Sequence, residues 1–518
     1  MKKDLLTKFF MLNLLTAGLI IMGCTDLEIE ESDSLIAESG AGFIGVEDVD
    51  GAIDNVYNGF NRLGDQANLY ALQEVSSDGL LVPTRGTDWG DNGLWRTLHQ
   101  HTWDATHPFL LTAWNNWNSS IFLASEIIDS RSGANASQLA LASFARAFAM
   151  NIVLDNFAQV PFREPDEGPE IDPKVLSASE ALDFILNDLD VAISGLPSVA
   201  AMDSDNLNRG TRASAQFLKA KVLLNAHIYR GEADANSADM TEVIALVDEI
   251  ASQGFALQAG YFDIFKQDPD TETIYWVPTG VGNRIWNGMH YNIVAPDNGG
   301  GGWNGFSALS EFYDSFEGAS DNNFAGAGQE ERRGFVPDAS NAGPDNLGIG
   351  YGFLVGQQYS VDGTPLTTRP GEPLVFTRDY PGLQGNGEAN GIRTIKYHPV
   401  NGSFTSHEII FRYADAHLMK AEAMMRMGSD PTALVNELRV LRQASPLGSV
   451  SEADLIAERG RELYKEAWRR SDLVRFGQFT KDWEFKNPES VGDESRNKYP
   501  IPASALLSNP NLIQNPGY

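Results

Sequence analysis

The chain has 518 residues, of which 42% are hydrophobic and 21% charged; it is long enough for a large core and too apolar for a disordered tail. Thirty-eight Lys+Arg against 70 Asp+Glu leave a formal net charge of -32, which repels phosphate backbones and anionic headgroups and so excludes a nucleic-acid or charge-driven membrane-surface role. The single Cys excludes an intrachain disulfide framework and a thiolate-rich metal site.

The first element is an export signal. Lys2, Lys3 and Lys8 form a positive start, and Phe9 to Ile21 is a short apolar run that ends at Gly23-Cys24. The run is short for a spanning helix, which needs about 20 residues. A small residue before a lone Cys resembles a bacterial lipobox, which implies lipidation of Cys24 and removal of residues 1–23. Residues 24–45 open with Asp26, Glu28, Glu30 and Glu31 and read as an acidic tether. Acidic residues after such a Cys are similar to the surface-export signal of Bacteroidetes lipoproteins. No second hydrophobic span is expected, so membrane attachment would rest on the lipid.

Residues 46–518 read as one domain in three parts. The first, 46–254, is helical. Trp117, Ile121, Ala124 and Ile128 share one apolar stripe, and Leu141, Phe144, Phe148 and Ile152 share another. Leu182 to Ile193 continue the pattern behind a Ser177/Glu180 capping box and end at Gly195. Two more helices stop at Gly231 and Gly254. Ala and Gly at their interfaces suggest close helix pairs in a tetratricopeptide-like superhelix, although no strict 34-residue repeat period is present. The second part, 280–391, holds 23 of the 49 glycines and reads as a loop-rich excursion. Short β-hairpins are expected around Thr273–Pro278 and Pro373–Arg378. The third part, 409–518, returns to helix over Ile409–Met427 and Leu455–Arg470, the latter capped by Ser451 and Asp454. Its Pro- and Asn-rich end reads as a strap. The predicted fold class is therefore mostly α.

Three stretches of the last part carry a family resemblance. They are Phe411-Arg412-Tyr413-Ala414-Asp415-Ala416-His417-Leu418, then Glu458-Arg459-Gly460-Arg461-Glu462-Leu463-Tyr464-Lys465-Glu466-Ala467-Trp468-Arg469-Arg470, and the ending Tyr499-Pro500-Ile501-Pro502 to Asn515-Pro516-Gly517-Tyr518. With the lipobox and tether, they resemble the SusD/RagB family. The resemblance implies a lipid-anchored outer-membrane protein facing the cell exterior. It also implies a SusC-like TonB-dependent transporter as partner and a glycan or, less often, a peptide as ligand, with no enzymatic activity and no cofactor. From the residues themselves, Glu458, Glu462 and Glu466 run parallel to Arg461, Lys465 and Arg469, which reads as a solvated ion-pair face. Arg412, Asp415 and Glu422 read as internal pairings.

Five of the ten Trp lie between Trp89 and Trp117. The turn-rich segment Arg85-Gly86-Thr87-Asp88-Trp89-Gly90-Asp91-Asn92-Gly93-Leu94-Trp95 places Trp89 and Trp95 on a loop beside Arg85, Asp88 and Asn92. A sugar ring offers an apolar C–H face to an indole and an equator of hydroxyls to polar side chains. Trp286, Tyr291 and Trp303 with Asn304 form a second such set in the excursion. The resemblance supports both segments in general terms, because family members bind glycan through loop aromatics. The bland alternative is a loop Trp packed on its own helix pair. Trp103, Trp114 and Trp117 read as core.

His99, His101 and His107 lack a completing carboxylate or Cys, and Asp48, Asp50 and Gly51 lack a calcium-loop Glu, so no metal is expected. No nucleophile elbow or phosphate loop is present. Net acidity favours a neutral glycan over an anionic one. The alternatives are peptide capture on the same scaffold, and a surface glycoside hydrolase, which would need a carboxylate pair that no motif singles out.

Overall fold

The computed structural model describes residues 42–279, 287–294, 301–401 and 406–518. The signal, Cys24, nearly all of the acidic tether, and Trp286 lie outside the described residues. Within Phe43–Tyr518, which forms one compact unit, the helices of the first part are α1 (Val49–Gly59), α2 (Leu94–Gln100), α3 (Pro108–Ile128), α4 (Ala136–Phe157), α5 (Ala178–Gly195), α6 (Arg212–Arg230) and α7 (Ser237–Ser252). After the excursion come α8 (Tyr413–Arg426), α9 (Thr432–Leu441), α10 (Glu452–Leu463) and α11 (Arg469–Arg475).

Local chemistry sets the helix ends. Ser177 and Glu180 form the expected capping box on α5, and Thr211 with Ser214 does the same for α6. The α6 helix closes on Gly231 at φ +70°, a left-handed position that favours glycine. From α3 to α8 each helix packs on the next, which is nearest-neighbour stacking of the solenoid kind. Gly195 shows why small residues line these contacts: a Cβ there would sit 2.6 Å from Ala140. Helix α4 is long and apolar enough to cross a membrane, a feature not expected from the sequence, but it is largely buried at the centre of the stack. Its one buried cation, Arg146, forms a two-pronged bridge to Asp188 of α5 with both N–O distances 2.7 Å.

The strands are short. They are β1 (Leu80–Leu81), β2 (Gln159–Phe162), β3 (Lys174–Ser177), β4 (Thr273–Val277), β5 (Ser307–Ala308), β6 (Gly334–Phe335), β7 (Tyr351–Leu354), β8 (Gly356–Gln357), β9 (Val375–Phe376), β10 (Arg393–Ile395) and β11 (Glu408–Arg412). Of the two expected hairpins, the one around Thr273–Pro278 is replaced by a long-range pairing, while the one around Pro373–Arg378 is present as short antiparallel pairing, with Thr367 bridged to Pro373. Strand β4 pairs with distant β11, in the register Thr273↔Arg412 and Trp276↔Ile409, and β9 returns to β8. The helix expected from Ile409 accordingly begins only at Tyr413, because Ile409–Arg412 is strand. Strand β1 pairs with β5, joining the first part to the excursion.

A second correction concerns the acidic and basic stripes. Helix α10 ends at Leu463, and Lys465 and Ala467 take φ values of +63°. Glu458 and Glu462 are buried, not solvated. Their main partners come from elsewhere in the chain. Arg412 Nη1 meets Glu462 Oε1 at 2.7 Å, Arg442 Nη2 meets it at 3.0 Å, and Arg332 Nη1 meets Glu458 Oε1 at 2.7 Å. Glu272 joins the lattice at 2.6 Å from Arg442. Burial alone would raise these carboxyls, but the arginines hold Glu462 far below the carboxylate range and Glu458 down to about 2. A second buried lattice joins Arg459 to Asp415 and Asp472, and Arg475 to Glu422. The 411–418 and 458–470 stretches, with Glu272, Arg332 and Arg442, therefore build an ionic core under the excursion.

Candidate functional site

The excursion and the Trp89 loop meet over this frame. The loop starts in a tight turn closed by Arg85 N→Asp88 O and Asp88 N→Arg85 O hydrogen bonds of 3.0 and 2.8 Å. Trp89, Asp91 and Asn92 all have positive φ, which projects successive side chains in different directions. The Trp89 ring lies flat against the backbone at Gly305, where a Cβ would come within 2.4 Å of it. Its Nε1 donates to the Trp303 carbonyl at 2.6 Å. One hydrogen bond thus couples the two segments that sequence reading nominated separately.

The result is a cleft of about 960 Å³ lined by Trp89, Tyr291 and Trp303 together with Asp88, Asp91 and Arg369; Gln66, Thr87 and Asn287 complete its polar wall. Trp303 is 62% exposed and offers an open indole face. Trp89 and Tyr291 are half-buried, held by neighbours on one side.

Other expected site residues lie beneath the surface. Trp95 is 3% exposed, stacked edge-on against Trp89 and Phe306, with its Nε1 on Asp91 Oδ2 at 2.7 Å. It belongs to the floor because α2 begins at Leu94 and turns that side chain inward. Arg85 is 2% exposed. Its guanidinium donates to the carbonyls of Asn304 (2.8 Å) and Asn390 (2.6 Å) and to Ser307 Oγ (2.8 Å). Asn304 is buried and accepts two bonds from Arg393 through Oδ1. Trp95, Arg85 and Asn304 therefore position the walls and do not face a ligand. Asn92 is exposed but does not line the cleft.

Arg369 and Glu388 were missed, since nothing near them in sequence marks a site. Arg369 stacks 3.7 Å from the Tyr291 ring centroid and bridges Asp88 at 2.8 Å and Glu388 through Nε. The Tyr291 hydroxyl donates to Asp88. That hydroxyl and Arg369 hold Asp88 below the usual carboxylate range, while burial and the adjacent carboxylate push Tyr291 up. Buried His290 contacts Glu388 at 2.9 Å and is lowered to about 4 by burial, so it is neutral at pH 7. Among the described residues no cluster of three or more His, Cys, Asp or Glu could hold a metal. His99, His101 and His107 each engage a different backbone carbonyl. Trp103, Trp114 and Trp117 are buried, as read from their spacing.

Comparison with known proteins gives the fold a lineage. Residues 271–518 match the family model described as the SusD family. The chain is 26% identical over 425 residues to the starch-binding protein SusD of Bacteroides thetaiotaomicron, covering 72% of each. A SusD-like protein from Bacteroides fragilis superposes with a TM-score of 0.69 at 18% identity, over 91% of this chain and 96% of that one. The C-terminal part of the chain, residues 271–518, thus carries the SusD-family match, and the chain as a whole has the fold of SusD-like proteins. A surface glycan-binding protein A from B. thetaiotaomicron, solved in complex with laminarihexaose, shares the SusD fold with a TM-score of 0.61 at 19% identity, over 90% of this chain and 98% of that one. The SusD match places α8 to α11, the ionic core and the terminal strap inside the family region, while the Trp89 loop lies outside residues 271–518.

Proposed function

We propose that this SusD-like protein captures glycan in the Trp89–Tyr291–Trp303 cleft, releases it unaltered, and works at the outer face of the outer membrane through a lipid on Cys24. A SusC-like TonB-dependent transporter would receive the ligand. The observation that carries the reading is the convergence of an open indole, a second indole edge and a phenol ring with polar side chains in one cleft. Exposed aromatic surface of this kind serves binding. The starch and laminarihexaose relatives support a carbohydrate ligand, and the neutral reading follows from the acidity of the chain.

Binding without hydrolysis is favoured by the carboxylates themselves. A glycosidase needs an acid with a raised pKa opposite a second carboxylate. Asp88 is shifted the other way, and Asp91 is engaged by Trp95 Nε1. Native affinity electrophoresis over neutral polysaccharides, with calorimetry on oligosaccharides and oligopeptides, tests the reading. Retardation by at least one glycan is expected. Heat of binding only with peptides would move the protein to peptide capture, and release of reducing ends would make it a hydrolase.

A further inference from the structure

We propose that the Asp88–Arg369–Glu388 clamp sets the charge class of the ligand, admitting uncharged chains and turning away those that bear uronate or sulfate. The inference rests on the glycan reading above and adds the residues that decide specificity within it. Arginine is the side chain best suited to hold a carboxylate or sulfate, through a planar fork of donors. Arg369 is the one cation among the described residues that line the cleft, and its side chain is 51% exposed, within reach of a bound chain.

The Nε/Nη2 edge of that fork is already occupied. Nη2 rests on Asp88 Oδ2 at 2.8 Å, Nε rests on Glu388 Oε1, and the flat face is covered by Tyr291. Glu388 is fixed in turn. It accepts the Arg369 backbone N–H at 2.8 Å and contacts the His290 imidazole at 2.9 Å. Two carboxylates therefore spend one guanidinium, and Asp91 adds a further negative charge to the wall. An anionic sugar entering the cleft meets the carboxylates of Asp88 and Asp91 at the wall and a guanidinium whose Nε/Nη2 edge is already taken. A neutral sugar loses nothing, because its hydroxyls take up any donor or acceptor that remains. Removing the two carboxylate charges frees that edge and reverses the preference.

The test compares affinities within each protein, so that a general weakening cancels. A neutral polysaccharide retained in a panel that includes laminarin and starch is paired with its carboxymethylated form. Wild type is expected to prefer the neutral form by roughly tenfold or more. Asp88→Asn combined with Glu388→Gln is expected to shift that ratio by at least about tenfold toward the carboxymethylated form, and about 0.5 M salt should erase the gain. Arg369→Met shows no such gain. Glu388→Gln alone keeps the Asp88 pair and moves the ratio in the same direction, which preserves the test if the double variant does not fold. Equal binding of both forms by wild type, or an unmoved ratio in a folded variant, overturns the inference while leaving glycan capture intact. If wild type retains no neutral polysaccharide, it is the glycan reading that fails.

Discussion

Trp303 and Trp95 are predicted to fail in opposite ways when truncated. Trp303 is 62% exposed. A Trp side chain presents about 250 Å², so roughly 150 Å² is open, and one pyranose covering about half of that removes ~75 Å² from water. At ~25 cal/mol/Å² this is about 2 kcal/mol, or a ~30-fold rise in Kd. Trp303→Ala removes little packed surface and keeps the backbone carbonyl that accepts the Trp89 indole N–H. Its Tm is therefore expected to stay within about 1 °C of wild type. Trp95 is 3% exposed and packs against Trp89, Phe109 and Phe306. Trp95→Ala leaves a cavity and is expected to cost about 3–5 kcal/mol of stability. Isothermal calorimetry with a retained oligosaccharide, paired with thermal unfolding, reads both effects. Wild-type affinity in Trp303→Ala, within about twofold, would refute the stacking argument.

Glu462→Gln removes a buried charge shared by three arginines and is expected to lower stability by about 3–5 kcal/mol, read as a lower urea midpoint. Gly305→Ala pushes a methyl group into the Trp89 ring and is expected to weaken glycan binding and shift the tryptophan emission, with the fold retained. Acid should destabilise the protein. Burial lowers His227, His290, His398 and His407 to about 4 each. The unfolded chain therefore binds more protons below about pH 6.5, and the stability these neutral rings share is full above that pH and lost as pH falls toward 4. Glu74, raised to about 7 by burial, acts in the opposite direction: its stabilising effect is present below its unfolded pKa and fades as pH rises through about 7. His99, His101 and His107 are lowered as well, and Asp188, Asp270 and Glu331 are raised, so both sets grow. Among the most strongly shifted of these His and carboxyl groups the rings outnumber the carboxyl, and the urea midpoint is expected to be lower at pH 5 than at pH 7.5; a higher midpoint at pH 5 would contradict this balance.

Helices with a regular apolar stripe and a capping residue were legible in the sequence, as α5 shows with Ser177, Glu180 and Gly195. Contacts between remote segments were not. Ile409–Arg412 runs directly into a helical pattern, yet it becomes strand because β4, more than a hundred residues earlier, offers its β-branched and aromatic residues a partner edge. Glu458 and Glu462 satisfy the spacing of a solvated face, and only the arrival of Arg332, Arg412 and Arg442 makes their burial tolerable. At the site, the aromatic pattern pointed to Trp89, Tyr291 and Trp303. It could not separate Trp89 from Trp95, because which indole faces outward depends on the left-handed residues between them. Arg369 and Glu388 join the cleft only through the fold, with no local signature.

The ionic core has a consequence for how such a protein diversifies. Guanidinium–carboxylate pairs are directional, so they fix the anchorage of the excursion by bond geometry more than by shape matching. Sequence drift in the segments above, in length or in residue type, leaves that anchorage in register. The same chassis can then be re-aimed at a different polymer by exchanging a few surface positions, and an engineer could graft a new recognition rim without redesigning what lies beneath it.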